Sequence, residues 1–186
     1  MGKLTFMLGG ARSGKSFFAQ KLAEESGKSV TFIATAQALD DEMSARIRKH
    51  RDERHTDWNT LEIPAGIAAY LRENPTKTNL YLLDCITLLV TNLIMQCTKD
   101  DIADEKQSTL TIENEISELL VYIREHEQDW IIISNEVGQG LVPPYQMGRV
   151  YRDLLGRANQ RIASVADEVY WLVAGIPVPI QQFREK

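Results

Sequence analysis

The chain has 186 residues, 44% of them hydrophobic and 25% charged, which suits one buried core and gives no sign of disorder. A formal net charge of −5 excludes general attraction to nucleic acid or anionic membrane, so any polyanionic ligand must be held by a local basic cluster. Cys85 and Cys97 form no CxxC, and no apolar run approaches the ~20 residues of a bilayer span, so no disulfide framework, structural zinc site or membrane span is expected. The N-terminal "KLTFMLGG" lacks the pattern of a secretion signal, and the expected setting is soluble and cytoplasmic.

Along the chain, "LTFML" (4–8) reads as a first strand and leads into a glycine-rich stretch. "SFFAQKLAEES" follows as a helix, with Gly27 as its C-terminal cap. "VTFIA" (30–34) is the second strand. "DDEMSARIRKHRDER" (40–54) reads as a helix, acidic at its start and basic toward its end, as the helix dipole prefers. "ENPTKTN" (73–79) is a turn region before the strand "LYLLD" (80–84), and "CITLLVTNLIMQ" continues from that strand as a helix. The polar run "TKDDIADEKQST" (98–109) reads as an exposed loop.

Ile112, Ile116, Leu119, Leu120 and Ile123 then recur at helical spacing within 110–126. "WIIIS" (130–134) is a strand, 147–165 a helix and "EVYWLV" (168–173) the last strand. The tail "AGIPVPIQQFREK" carries two prolines that would break a regular element, and it reads as an extended segment ordered only if docked. Near-continuous apolar strands separated by helices predict an α/β fold in one domain spanning 1–186. Its sheet should be mainly parallel, with helices on both faces.

"GGARSGKS" matches G-x-x-x-x-G-K-[ST] at Gly9, Gly14, Lys15 and Ser16, directly after a strand and opening a helix. Glycines let such a loop turn its backbone N–H groups toward phosphate oxygens, and the helix adds its positive end. Lys15 would reach the β and γ phosphates, and the Ser16 hydroxyl would ligate Mg²⁺. A second carboxylate belongs at the tip of a neighbouring strand, where Asp84 stands. Ser134, Asn135 and Glu136 end another strand and lead into "VGQGLVPP", which should border the site, or else is a plain connection.

On the helix expected over 40–54, Met43, Ile47, His50 and Arg54 share one face with Arg46 beside it. Apolar members turn that face inward, where His50 would stand among cations that suit a phosphate. A neutral imidazole there could attack the α-phosphorus of a nucleotide, with pyrophosphate leaving. A histidine on an apolar helix face serves packing as readily as chemistry, so periodicity alone leaves both open. His55 and His126 have weaker claims.

With these pieces in place, the chain resembles the bifunctional adenosylcobinamide kinase/adenosylcobinamide-phosphate guanylyltransferase family of cobalamin assembly. The resemblance covers essentially its whole length. It rests on "GGARSGKS", "FIATAQALDDEMSARIRKHRDER" with "WNTLE" after it, "LLDCITLLVTNL", "SNEVGQGLVPP" and "GRANQRIASVADEVYWLVAGIPV". It implies a RecA-like P-loop NTPase fold, with His50 taking up GMP. Gly9, Gly10, Ala11, Arg12, Ser13, Gly14, Lys15 and Ser16 become the phosphate loop. Ala34, Thr35, Ala36, Arg51, Asp52, Glu53, Arg54, Glu62 and Asp84 become further nucleotide contacts.

The activities implied are phosphorylation of adenosylcobinamide by ATP or GTP, then GMP transfer from GTP to adenosylcobinamide phosphate. The family further implies a homo-oligomer, a trimer. The alternatives are a single-activity P-loop kinase of another small metabolite, with His50 structural, or a RecA-like ATPase or nucleotide-binding module of a larger assembly.

Overall fold

The computed structural model describes residues 2–38, 41, 44, 45, 48, 55, 57–99 and 102–184. Its strands are β1 (Leu4–Gly9), β2 (Val30–Ala34), β3 (Asn59–Glu62), β4 (Leu80–Asp84), β5 (Thr98–Lys99), β6 (Ile102–Ala103), β7 (Asp129–Ile133), β8 (Glu168–Val173) and β9 (Ile176–Pro179). Its helices are α1 (Lys15–Glu25), α2 (Ile67–Glu73), α3 (Ile86–Gln96), α4 (Glu105–Glu125) and α5 (Gln146–Val165), with a 3-10 turn at Gln181–Phe183. Asp41, Ser44, Ala45 and Arg48 are also helical.

The central sheet has 7 strands in the order β3-β2-β4-β7-β1-β8-β9. Every pairing in it is parallel except β8 with β9. One strand, β7, separates β1, which feeds the glycine loop, from β4, which ends in Asp84. That separation is the RecA-like arrangement of a P-loop α/β domain, as expected.

The uninterrupted apolar strands follow from cover on both faces. Ile33, Tyr81, Leu83 and Ile132 pack into a cluster with α2, α3, α4 and α5. The alternate residues Phe32, Leu82, Ile131 and Ile133 pack with Met7 and with Ala19 and Ala23 of α1. Among the described residues, α1 is the helix of that second face.

Three segments depart from the sequence reading. The tail is regular after all: β9 pairs with β8 through a turn at Ala174 (φ 50°) and Gly175 (φ 81°). Pro177 and Pro179 are tolerated because β9 is an edge strand, where a missing N–H costs no ladder bond. The 98–109 run is not all loop. It contains the β5–β6 hairpin, and α4 begins at Glu105, where the Asp104 carboxylate caps it by accepting from Gln107 N at 2.9 Å. β3, with 4 residues, and α2, with 7, are too short to announce themselves. Glu115 of α4 anchors α2, accepting from the backbone of Gly66 and Ile67 at 3.0 and 2.9 Å.

At the opposite end of the sheet from the glycine loop, Asp129 gathers three strands. Its carboxylate accepts from Lys3 N at 2.9 Å and Lys28 Nζ at 2.5 Å, and its own N–H donates to Asn79 O at 2.9 Å. Burial works against its charge, but the Lys28 ammonium and the Lys3 amide hold its carboxyl below the ordinary value of 3.8. A depressed carboxyl stabilises the fold above its unfolded pKa, and that contribution disappears as pH falls through the folded one. Asp129→Asn should therefore lower stability at pH 7 by about 1 kcal/mol, partial exposure screening the ion pair. It should also remove part of the loss seen below pH 3.8. Urea titrations of both proteins at neutral and acid pH measure each effect.

Candidate active site

Gly9 ends β1, and the loop to Gly14 opens α1 at Lys15. Gly14 sits at φ 93°, and a Cβ there would meet the Gly175 Cα at 3.1 Å, so both backbone and space favour glycine. Lys15, only 7% exposed, folds over the loop and donates to Gly10 O at 2.7 Å and Ser13 Oγ at 3.3 Å. Desolvation lowers its pKa, while the Asp84 carboxylate acts in the opposite sense. Ser16 Oγ donates to Asp84 Oδ2 at 2.9 Å, joining residues 68 positions apart. Those two groups are hard oxygen ligands facing each other beside the phosphate loop, a donor pair that fits Mg²⁺ shared with nucleotide phosphates.

The β8–β9 turn braces the loop from the far side, where Gly175 N donates to Ser13 O at 2.9 Å. The sequence reading missed this contact. Its signal was Ala174-Gly175 between two strand-like runs, a hairpin-turn pattern.

The strand ends beside Asp84 hold Ala34, Thr35, Ala36 and Glu62, the other expected nucleotide contacts among the described residues. Ala34 and Glu62 are register partners at the C-terminal ends of β2 and β3. Thr35 is fully buried: its Oγ1 donates to Cys85 O at 2.8 Å and accepts from Cys85 N at 2.9 Å. Its N–H donates to Asp84 O at 3.2 Å, and its carbonyl accepts from Asn92 Nδ2 at 2.8 Å. Thr35 therefore shapes this corner from within, Ala34 is buried beneath it, and Ala36 and Glu62 present its surface. Asn92 also donates to Pro64 O at 2.9 Å, tying the turn after β3 to the same corner.

Asn135 and Glu136, expected to border the site, do so. Asn135 N donates to Thr87 Oγ1 at 2.8 Å, its carbonyl accepts from Asn159 Nδ2 at 3.0 Å, and Glu136 N donates to Gly9 O at 3.1 Å. Thr87 and Asn159 carried no sequence signal, being polar residues on otherwise apolar helix faces.

His50 with Arg51, Asp52, Glu53 and Arg54 lies outside the described residues, as do Met43, Arg46 and Ile47. His126 is structural: its Nδ1 is 2.8 Å from Tyr122 O, and its ring stacks on Tyr122 at 4.0 Å between centroids. His55 stacks on Trp58 at 6.0 Å. Cys85 offers no nucleophile, since burial and then the Asp84 charge push its thiol up to about 12.

A family model described as cobinamide kinase / cobinamide phosphate guanyltransferase matches residues 5–180. The bifunctional adenosylcobalamin biosynthesis protein CobP of Pseudomonas aeruginosa is 42% identical over 175 residues, covering 94% of this chain and 95% of that protein. The corresponding CobU of Escherichia coli is 38% identical over 181 residues, covering 96% and 99%. Among solved structures, the RadB recombinase aligns over 91% of this chain and 73% of its own, at 14% identity and a TM-score of 0.49. The strand order, and not that remote likeness, carries the fold.

Lys15→Ala should preserve the circular dichroism spectrum, because the side chain bonds only within its own loop. It should weaken triphosphate binding by about tenfold or more, the loss of one or more charge-assisted hydrogen bonds. Calorimetric titration with a non-hydrolysable nucleotide measures the change.

Proposed function

The chain belongs to the cobinamide kinase/cobinamide phosphate guanyltransferase family, and we propose that one P-loop domain serves both of its reactions. The protein is a bifunctional enzyme of cobalamin biosynthesis, phosphorylating adenosylcobinamide and guanylylating adenosylcobinamide phosphate. The observation that carries the division of labour is the arrangement of Lys15, Ser16 and Asp84 around a loop that opens α1.

In the first reaction, ATP or GTP lies with its phosphates along Gly9 to Ser16. Lys15 exchanges its bonds to Gly10 O and Ser13 Oγ for the β and γ oxygens, neutralising charge as the γ-phosphoryl group moves. Mg²⁺, when bound through Ser16 Oγ and the Asp84 carboxylate, supplies further neutralisation at those oxygens. The acceptor is the hydroxyl of the aminopropanol arm of adenosylcobinamide.

In the second reaction, the His50 imidazole attacks the α-phosphorus of GTP and pyrophosphate leaves. A phosphate oxygen of adenosylcobinamide phosphate then displaces the histidine, giving adenosylcobinamide-GDP. Splitting the transfer across a covalent histidine lets one protein handle the two substrates in turn. Asp41, Ser44, Ala45 and Arg48, which fall in the segment where the charge pattern implies a helix, are helical. Arg51, Asp52, Glu53 and Arg54 beside it, with the Ala34–Ala36 and Glu62 corner, are the proposed guanylate contacts.

The proposal extends to a cytoplasmic homo-oligomer, a trimer. No helix among the described residues is long and apolar enough to cross a membrane. Exposed Leu141, Val142 and Tyr145 offer the apolar surface that assembly would cover.

Asp84→Asn should hold nucleotide affinity within about an order of magnitude while raising the Mg²⁺ concentration needed for half-maximal turnover, since an amide lacks the charge that positions the ion. An unchanged Mg²⁺ titration counts against the metal role. Incubation with GTP should add one GMP to the intact mass of the protein, in an acid-labile, base-stable linkage. His50→Ala should abolish adduct and guanylyl transfer but keep kinase activity, whereas His55→Ala should keep all three. An adduct that persists in His50→Ala removes His50 from the mechanism, and no adduct under turnover favours a single-activity kinase.

A further inference from the structure

Between the loop after β7 and the outer side of α5 lies an open cleft of about 470 Å³ that no step above uses. Leu8, Glu136, Arg152, Asp153, Arg157 and Gln160 line it. Leu8 immediately precedes the phosphate loop, and Glu136 is bonded through its N–H to Gly9 O at 3.1 Å. The cleft therefore opens at the C-terminal ends of β1 and β7, where open α/β sheets take their ligands.

We infer that this cleft is the acceptor subsite of the kinase reaction, with the Glu136 carboxylate at its P-loop end as the base that takes the acceptor's hydroxyl proton. The inference rests on the kinase reading above. Three observations carry it.

The first is placement. Ser16 and Asp84 lie on the α1 side of the sheet, whereas the cleft lies on the α5 side, with the end of β1 between them. Phosphoryl transfer needs attacking and leaving oxygens roughly in line through phosphorus, so a donor held from one side leaves the other for the acceptor.

The second is preorganisation. The Asn135–Glu136 backbone is tied to α3 through Thr87, to α5 through Asn159 (5% exposed) and to the phosphate loop through Gly9. A plain connection has no need of three such ties. The carboxylate is further oriented by accepting from Gly138 N at 2.6 Å through Oε1, which leaves Oε2 for a substrate hydroxyl.

The third is chemistry. Two guanidinium groups, two carboxylates and two amides suit a neutral ligand that both donates and accepts hydrogen bonds, and they do not suit a polyanion. An alcohol on a scaffold rich in carboxamide groups fits that description, with only its arm inside the cleft and its bulk outside.

In the step, the acceptor oxygen forms a bond to the γ-phosphorus. The bond from that phosphorus to the β–γ bridging oxygen breaks, and its electron pair leaves on the nucleoside diphosphate. The hydroxyl proton passes to Glu136 and from there to water.

The test uses the full-length protein with γ-labelled ATP and adenosylcobinamide. Glu136→Gln should lower kinase kcat about 10²-fold or more, the usual worth of a positioned base. Its KM for ATP and its GMP adduct should be unchanged. Arg157→Ala should raise KM for the corrinoid several-fold and leave kcat and the ATP KM alone.

Glu136→Gln turning over within about threefold of wild type, or losing the GMP adduct together with the kinase, overturns the assignment of the base. An unchanged corrinoid KM in Arg157→Ala overturns the subsite. If Glu136→Gln misfolds by circular dichroism, Glu136→Asp, which keeps the charge one methylene further back, should fold and show an intermediate kcat. Full activity in that variant counts against the base. A wild-type protein that phosphorylates no corrinoid overturns the kinase reading itself, and the subsite with it.

Discussion

A phosphate loop must leave its backbone N–H groups pointing at a ligand, so everything else around it has to be satisfied from outside. The rest of this structure follows from that constraint. The carbonyl of Gly9 is met by Glu136 N, that of Ser13 by Gly175 N, and that of Gly10 by the Lys15 ammonium. Two elements far apart in sequence, together with the loop's own lysine, are thereby committed to holding one short loop. Gly14 completes the arrangement, since only a residue without a side chain tolerates its backbone angle and the approach of the β8–β9 turn together.

The same economy governs charge. The chain is acidic overall, yet its buried lysine stands at the loop, close enough to Asp84 for the carboxylate to offset part of its desolvation. Asp84 in turn helps to keep Cys85 a neutral thiol. One carboxylate thus faces a hydroxyl that fits a shared cation, steadies the lysine that meets phosphate, and suppresses an unwanted nucleophile beside both.

The two proposed nucleotide regions are joined through a buried polar corner. Thr35 bonds both sides of Cys85, and Asn92 holds Thr35 and Pro64 at once. Buried polar networks of this kind are costly unless every member is paired, and here the donors and acceptors of Thr35 are all used. The corner sets the ends of β2, β3 and β4 relative to one another, and so relates Ala34, Ala36 and Glu62 to Asp84. The 134–138 loop plays the matching part between β4 and β1, held by Thr87, Asn159 and Gly9.

By itself the sequence determined what depends on near neighbours: the strands of continuous apolar residues, the helices of long apolar period, the phosphate loop, and the resemblance that names the family. The elements and the loop are each written within about twenty residues and need no partner to be read, while the resemblance draws on motifs along the whole chain. It left β3, α2 and the proline-bearing β9 unread because short elements draw their stability from what they pack against: the β2 edge, Glu115 of α4, and β8. Only the tertiary structure decided the strand order, which sets Asp84 opposite Ser16 across 68 positions, Glu136 against Gly9, and Gly175 against Ser13. Such contacts have no local pattern, because burial of two sheet faces fixes strand neighbours and register, and polar side chains then meet wherever that packing leaves their strand ends.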